Sequence, residues 1–536
     1  MINRNLAIIL LFLTFFLQLN GQIVSDHQRV DADLLLFDSP LALKLKKGIK
    51  KKDIEKIQNE QLRSVAAQLL EKSYNSAYRY ATYYPVFNPT ALGKQLWIGD
   101  GYSKYENVTG VYLPKGKHIV LVDMPENENV SLVIPNWLRQ PPNLANPTED
   151  PAGWGLYNKS IKLNNGINII DITNEEGLAY VQFFTNDPSS KDSIKIHFPA
   201  AKVNGYFDIS KHNNEDWDRL LKNAVYPIMD GLGKHIQIAY PVADCQKYAP
   251  SLGVELITNY DSLVYLQHKI MGLVKYNRVP KNRILSRVNY NYYMFRDHDG
   301  VAYMGGEDGY AMHLVVDPAR VIKGDPCWGF AHEIGHVHQL RPFFNWGGTA
   351  EVSNNVFSLY VNTHFGTKSR IQEQNNYQKS KESIINKKIS YLQDPDVFNR
   401  LVPFWQLHLY FTKIETTEDF YPDLFEAFRQ QGDSLLNSKD KKHDLGGDNW
   451  GNRGGNPAVY QLNFVETACK IGTIDLTEFF DKYGFFHVGE FEYDDYGKYK
   501  YSMTQEMVDE SKKKIAAMKL PQPKLDLSTL TDDNTK

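Results

Sequence analysis

Cysteine is scarce in this chain, which contains only three in 536 residues. Cys245, Cys327 and Cys469 lie far apart, and an odd number leaves at least one thiol unpaired. A fold held together by disulfides is therefore excluded, and we expect three buried thiols.

A strong charge of one sign is also missing, because the formal net charge is −3 and the isoelectric point is near 6.6. This balance gives no reason to expect a nucleic-acid partner.

The chain also has little in the way of long hydrophobic runs. The run over residues 6–17 follows Arg4 and is too short for a comfortable membrane span. It is typical of a secretory signal, so we predict a signal peptide over residues 1–21. We expect export to the periplasm or the cell exterior without a transmembrane anchor. A lipoprotein is not indicated, because no cysteine lies near Gly21.

The most informative motif present is a His-Glu-x-x-His pentad at residues 332–336. On a helix His332 and His336 stand one above the other, so two imidazole nitrogens can converge on one zinc ion. Glu333 lies about 100° further round the helix, where it can accept a proton from metal-bound water.

The surrounding residues predict that the pentad lies inside a helix of about 15 residues. Asp325 is the expected N-cap, Pro326 the first helical residue, and Pro342 ends the pattern. His338 points away from the ligand face and is expected to be a packing or second-sphere histidine. Gly335 costs about 1 kcal/mol against alanine, so either another backbone or a substrate passes close, or the helix simply packs there.

A catalytic zinc site needs a third protein ligand and an open position. A second helix is predicted to begin at Thr349, with Glu351 in its first turn, and we favour Glu351 as that ligand. Asn354 and Asn355 share roughly its face and could hydrogen-bond a ligand carboxylate or imidazole. Cys327 is excluded, because thiolate ligands are typical of closed structural sites.

Two blocks resemble the M60-like peptidases, gluzincin-type zinc proteases that include viral enhancins and bacterial enzymes acting on mucins. The blocks are residues 332–339, His-Glu-Ile-Gly-His-Val-His-Gln, and residues 346–355, Trp-Gly-Gly-Thr-Ala-Glu-Val-Ser-Asn-Asn. The resemblance covers about residues 205–480 and is sharp only over 328–355.

The resemblance implies a single zinc ion, a catalytic base and a set of ligands. It places His332, His336 and Glu351 as zinc ligands and Glu333 as the base. It also implies that the turn containing Trp346 and Gly347 faces the substrate; the alternative is a turn with a buried tryptophan.

The stretch 309–316, which includes Tyr310, is predicted to be a β-strand before the active helix. Some proteases pair such an edge strand with an extended substrate, although the pattern alone indicates only a core strand.

The fold class that we predict is multidomain α+β, since 536 residues exceed what one hydrophobic core normally serves. The predicted parts are a helical segment at 22–75, a β-sandwich accessory domain at 76–204, a zincin-like catalytic subdomain at 205–365, a mainly helical subdomain at 366–519 and a polar tail at 520–536. The sandwich could bind sugar through Trp97, Trp137 or Trp154, or could buttress the catalytic domain, and we favour the buttress.

These observations predict a zinc endopeptidase acting on O-glycosylated or mucin-type glycoproteins. Two alternatives remain open: a metalloprotease that ignores glycans, and a catalytically silent glycan- or protein-binding module. The donor that stabilises the oxyanion is not located by the sequence, and Tyr310, His408 and Tyr410 are candidates that are more often core residues.

Overall fold

The structure, a computed structural model, describes residues 25–140, 156–306, 311–437 and 455–535. The predicted signal peptide, Trp154 and Tyr310 lie outside these ranges. Within them, no helix is both long enough and apolar enough to cross a bilayer.

Three helices open the described chain: α1 (Asp26–Leu34), α2 (Lys51–Ile54) and α3 (Glu60–Leu70). The side chain of Asn59 caps α3 by accepting a hydrogen bond from the Leu62 backbone N–H. Buried residues of these helices share one apolar cluster with Ile119, Leu121 and Ile167, which belong to strands that follow. The helical segment therefore packs against a sheet.

Two antiparallel sheets come next, together with a two-stranded parallel pair and one helix. The elements are β1 (Tyr80–Tyr83), β2 (Val86–Phe87), α4 (Pro89–Leu96), β3 (Asn107–Leu113), β4 (Gly116–Asp123), β5 (Val130–Pro135), β6 (Asn158–Leu163), β7 (Gly166–Ile172), β8 (Gly177–Gln182), β9 (Phe184–Thr185), β10 (Ile194–His197) and β11 (Lys202–Val203).

The strand orders in the two sheets are β1-β10-β4-β7 and β11-β3-β8-β5-β6. Side chains from both sheets, such as Val120 of β4 and Leu132 of β5, belong to a single buried cluster. The two sheets therefore share one core. Trp97 and Trp137 are buried, so neither is available as an exposed sugar platform.

A six-stranded mixed sheet with its covering helices forms the centre of the larger core. Its elements are β12 (Phe207–Asp208), α5 (Asn214–Asn223), β13 (Ile228–Leu232), β14 (Ile236–Pro241), α6 (Val242–Tyr248), α7 (Gly253–Ile270), β15 (Ile284–Asn289), β16 (Met294–Asp297), β17 (Gly300–Met304), α8 (Met312–Val315), α9 (Pro318–Val321), α10 (Gly324–His338) and α11 (Ala350–His364). The strand order is β12-β13-β14-β15-β17-β16, which leaves β16 at one edge. Helix α10 packs against β16 and β17.

The remaining chain is mainly helical. Its elements are α12 (Arg370–Glu373), α13 (Asn376–Ser380), α14 (Val397–Leu409), α15 (Phe420–Asn437), α16 (Pro457–Gly472), α17 (Thr477–Lys482), the hairpin strands β18 (Gly489–Asp494) and β19 (Lys498–Met503), and α18 (Gln505–Ala517). The hairpin was not predicted from the sequence.

Two predictions are wrong. The described part of 309–316 is helical, since α8 spans Met312–Val315, and the edge strand beside α10 is β16 instead. The expected polar tail is packed: Leu527 and Leu530 are buried in the main core. The Trp405 indole N–H also donates to Asp532 at 3.0 Å.

The packed tail predicts a stability effect at a position expected to be solvent-exposed. Leu527→Ala should lower the free energy of unfolding by about 2–5 kcal/mol, because it removes buried apolar atoms and leaves a cavity. Urea denaturation measures this. Leu35→Ala is the matched control, since Leu35 is 69% exposed and its truncation should cost less than about 0.5 kcal/mol. Equal effects in the two variants would contradict the packed tail.

Candidate metal centre

Two helices that pack closely carry the candidate site. Helix α10 begins at Gly324 with Lys323 as its N-cap. Both positions lie two residues before the predicted N-cap, Asp325, and the predicted first helical residue, Pro326. A Cβ atom at Gly335 would lie 2.7 Å from the backbone oxygen of Asn354 in α11. Of the explanations offered for Gly335, the close approach of another backbone is therefore the one found.

The close packing brings three potential ligands together. Glu351, in the first turn of α11, places its carboxylate 3.2 Å from Nε2 of His332 and 3.5 Å from Nε2 of His336. One donor atom from each residue lies within 4.8 Å of the others. This grouping of two imidazoles and a carboxylate is the donor set of catalytic zinc sites in which a fourth position stays open.

Hydrogen bonds on the far side of each ring orient the two imidazoles. His332 Nδ1 donates to Asn355 Oδ1 at 2.8 Å, and His336 Nδ1 donates to Gln339 Oε1 at 3.0 Å. The amide orientations follow from their other contacts, since the Asn355 amide N–H donates to Glu351 O. The Nε2 atoms of both rings therefore face Glu351, where each can coordinate a metal once it carries no proton.

Asn354 lies beside the same nitrogens. Its Nδ2 donates to Nε2 of His336 at 3.0 Å, and its Oδ1 is buried without a hydrogen-bond partner among the described residues. Buried polar atoms are rarely left unpaired. An unpaired acceptor beside three potential ligands fits a site that binds a further group from outside the protein.

The charge state of the cluster also suits a cation. The imidazoles hold the pKa of the Glu351 carboxyl well below its usual range, although burial opposes this. Burial lowers the pKa of His336 to about 4, so this ring is neutral. Burial acts in the same sense on His332, but the hydrogen bond to Glu351 outweighs it and raises the pKa to about 9. Metal binding would release the proton that His332 and Glu351 share.

Glu333 lies next to the ligands without belonging to them. Its side chain is buried, and burial raises its pKa to about 7. A carboxylate with a pKa near neutrality can both accept and return a proton at physiological pH.

Sequence reasoning did not assign a role to Gln339, which links the two helices. Its amide N–H groups donate to Ala350 O at 2.6 Å and to Ser353 Oγ at 2.7 Å. The available signal was its position three residues after His336, on the same helical face.

Other residues singled out in the sequence lie elsewhere. His338 is a packing histidine whose Nδ1 contacts Gln267 Oε1 at 2.7 Å. The hydroxyl of Tyr410 donates to Glu415, while the ring of His408 stacks on Trp405. The latter two are therefore engaged outside the cluster. The three cysteines are buried free thiols, as predicted.

The expectation that Trp346 and Gly347 face the substrate is corrected by the structure. Trp346 is fully buried, and its indole N–H donates to the Tyr391 hydroxyl at 3.0 Å. Gly347 is covered by Tyr499, whose ring would lie 2.3 Å from a Cβ placed there. The turn with a buried tryptophan is the arrangement found.

Comparison with known proteins assigns the family. The profile described as Peptidase M60, enhancin and enhancin-like, matches residues 201–484, more than half of the chain. The chain belongs to the M60 peptidase family. The predicted family is thereby confirmed, and the matched range agrees with the 205–480 expected from the motifs.

Solved metallopeptidase structures share the fold. A metallopeptidase from Bacteroides thetaiotaomicron is 23% identical, with a TM-score of 0.77, over 96% of this chain and 83% of that chain. A metallopeptidase in complex with Tn antigen is 25% identical, with a TM-score of 0.71, over 85% and 80%. The M60 catalytic domain of Clostridium perfringens ZmpC, in complex with the sialyl T antigen, is 18% identical, with a TM-score of 0.62, over 84% and 82%.

A curated relative matches over a shorter stretch. TRPM8 channel-associated factor 3 of Rattus norvegicus is 22% identical over 189 residues, which make up 34% of this chain. The match spans only 19% of that rat protein.

The helix contact at Gly335 generates a test of how this M60 peptidase builds its centre. Gly335→Ala should force α10 and α11 apart, destabilise the fold by about 1–3 kcal/mol and weaken metal retention. Urea unfolding and competition with a chelator measure the two effects.

Gly329→Ala on the same helix is the matched control. Its Cβ would meet only the flexible end of Met294, at 3.2 Å, while alanine favours the helix by up to about 1 kcal/mol. This variant should be neutral or stabilised. The close contact would be contradicted if Gly335→Ala were as stable as Gly329→Ala and retained the metal equally well.

Proposed function

We propose that this protein is an exported zinc-dependent endopeptidase that hydrolyses peptide bonds in O-glycosylated, mucin-type glycoproteins. The observation that carries the proposal is the convergence of His332, His336 and Glu351, with Glu333 beside them. Membership of the M60 family supports peptide hydrolysis as the reaction.

In this proposal His332 Nε2, His336 Nε2 and the Glu351 carboxylate would hold one zinc ion. The orientation of both rings and the ionised state of the carboxylate suit these residues to zinc. Bound zinc would polarise the scissile carbonyl and lower the pKa of a water molecule.

The protein's own part in the reaction is proton transfer by Glu333. Its carboxylate takes a proton as the water oxygen bonds to the carbonyl carbon, and the carbonyl electron pair moves to oxygen. Glu333 then returns the proton to the amide nitrogen as the C–N bond breaks. Because burial raises the pKa of Glu333 to about 7, its carboxyl group can both accept the proton and return it.

The edge strand β16 is the proposed binding place for the peptide backbone. It packs against α10, so the strand flanks the helix that carries the pentad. An extended peptide can add to such an edge through main-chain hydrogen bonds.

The glycan preference rests on relatives with this fold. One solved metallopeptidase is in complex with Tn antigen, and the ZmpC catalytic domain is in complex with the sialyl T antigen. We infer an O-glycoprotein substrate for this chain by analogy with them. We also propose that the two antiparallel sheets form a β-sandwich that buttresses a zincin-like catalytic part, and that residues 1–21 direct export.

The assignment of Glu333 as the base predicts that a substitution there can abolish turnover without affecting zinc binding. Glu333→Gln should keep one zinc per chain but lower kcat by roughly 10²–10⁴-fold, because the amide cannot accept the proton. His336→Ala should lose zinc and activity together. Elemental analysis and peptide release followed by mass spectrometry measure these outcomes.

Glu60→Gln is the control for this series, since its carboxylate is 89% exposed and lies on α3. It should match the wild type. Full activity in Glu333→Gln would end the proposed mechanism.

The substrate assignment predicts a difference between one O-glycopeptide and the same peptide stripped of its glycans. Cleavage of the glycosylated form should be faster by at least about tenfold, because a polar site built for a sugar loses its partners when the sugar is removed. Mass spectrometry of the products also locates the bond. Equal cleavage would favour a sequence-directed metalloprotease, and zinc binding without any cleavage would favour a silent binding module.

A further inference from the structure

The hairpin β18–β19 lies against the turn that connects the two active helices. It begins five residues beyond residue 484, where the family match ends. The Tyr493 hydroxyl donates to the backbone oxygen of Gly347 at 2.8 Å, and Tyr499 covers the same glycine. A C-terminal element is therefore packed onto the start of the helix that carries Glu351.

Asp495 attaches the tip of this hairpin to the start of α11. Its Oδ2 accepts from the backbone N–H of Gly348 at 2.7 Å and from that of Ala350 at 3.2 Å. These groups lie at the N-terminus of α11, where a carboxylate is stabilised by unpaired backbone donors and by the helix dipole. The residue after Asp495 is thereby placed beside Glu351.

That residue is Tyr496, and its conformation is unusual for a tyrosine. Its φ is 55°, in the left-handed region that favours glycine, and its side chain is 62% exposed. Its hydroxyl donates to Glu351 Oε1 at 2.8 Å. The three-residue turn between β18 and β19 accounts for this backbone conformation, but core packing does not account for a largely exposed tyrosine whose hydroxyl reaches Glu351.

We propose that the Tyr496 hydroxyl donates the hydrogen bond that stabilises the oxyanion formed at the scissile carbonyl. This inference rests on the proposed peptidase function, whose transition state needs such a donor. The hydroxyl is one hydrogen bond away from the ligand cluster and approaches it from outside both active helices. The hydroxyl has a single hydrogen, so it gives up its bond to Glu351 Oε1 when it donates to the oxyanion. Tyr496 keeps its proton throughout, and the transfer by Glu333 is unchanged.

The other role open to Tyr496 is that of a positioning residue, which would act only by orienting Glu351. The two roles differ in what they affect. An oxyanion donor stabilises the tetrahedral state and leaves zinc and substrate binding almost unchanged, whereas a positioning residue changes zinc affinity first.

Tyr496→Phe tests the proposal, because it removes the hydroxyl and keeps the ring. We expect kcat to fall by about 10²–10³-fold, with KM within about threefold of the wild type and with full zinc content. Tyr157→Phe is the matched control, since Tyr157 is 61% exposed, and it should match the wild type.

A second readout needs no turnover. A phosphinic glycopeptide, which mimics the tetrahedral state, should bind Tyr496→Phe about 10²–10³-fold more weakly than it binds the wild type. The uncleaved glycopeptide should bind Glu333→Gln and Glu333→Gln/Tyr496→Phe equally. Calorimetry measures both affinities.

Three results would overturn the proposal: unchanged kcat, unchanged phosphinate affinity, or a loss of zinc that accounts for the lost activity. The last would identify Tyr496 as a positioning residue. A wild-type protein that cleaves neither glycosylated nor bare peptide would count against the proposed function instead, because phosphinate binding still reports on Tyr496.

Discussion

The contact between Gly335 and the backbone oxygen of Asn354 is the constraint on which the candidate centre depends. With only a hydrogen on the Gly335 Cα, α10 and α11 approach more closely than any side chain would allow. The approach puts the first turn of α11 opposite the pentad, so a carboxylate on one helix can meet two imidazoles on the other. The amides of Gln339 and Asn355 then fix the rings at that spacing.

The site is assembled from parts that are distant in sequence. The pentad and Glu351 are separated by a short buried turn, but Tyr496 reaches Glu351 from a position 145 residues further along the chain. The hairpin that carries it is fastened through Asp495 to the backbone of the same turn. The turn at 346–348 thus has a structural role that differs from contact with substrate: it joins the ligand helix to the C-terminal hairpin.

Sequence reasoning located what is encoded locally. The start of α11 and the length of α10 followed from capping residues and prolines, and one-turn spacing was sufficient to place His332 above His336. The stretch 309–316 was assigned to a strand because a short apolar run does not distinguish a strand from a buried helix.

Long-range packing could not be predicted in the same way. A polar segment with isolated leucines is predicted to be an exposed tail, although Leu527 and Leu530 pack into the core. Nothing near Tyr496 in sequence indicates that Asp495 will cap a distant helix.

X-ray absorption at the zinc edge tests the central claim most directly, because it reports the atoms bound to the metal in solution. The account predicts two imidazole nitrogens at about 2.0–2.1 Å and carboxylate or water oxygens at about 2.0–2.2 Å, with no sulfur. A sulfur scatterer at about 2.3 Å, or a spectrum unchanged by Glu351→Ala, would contradict it.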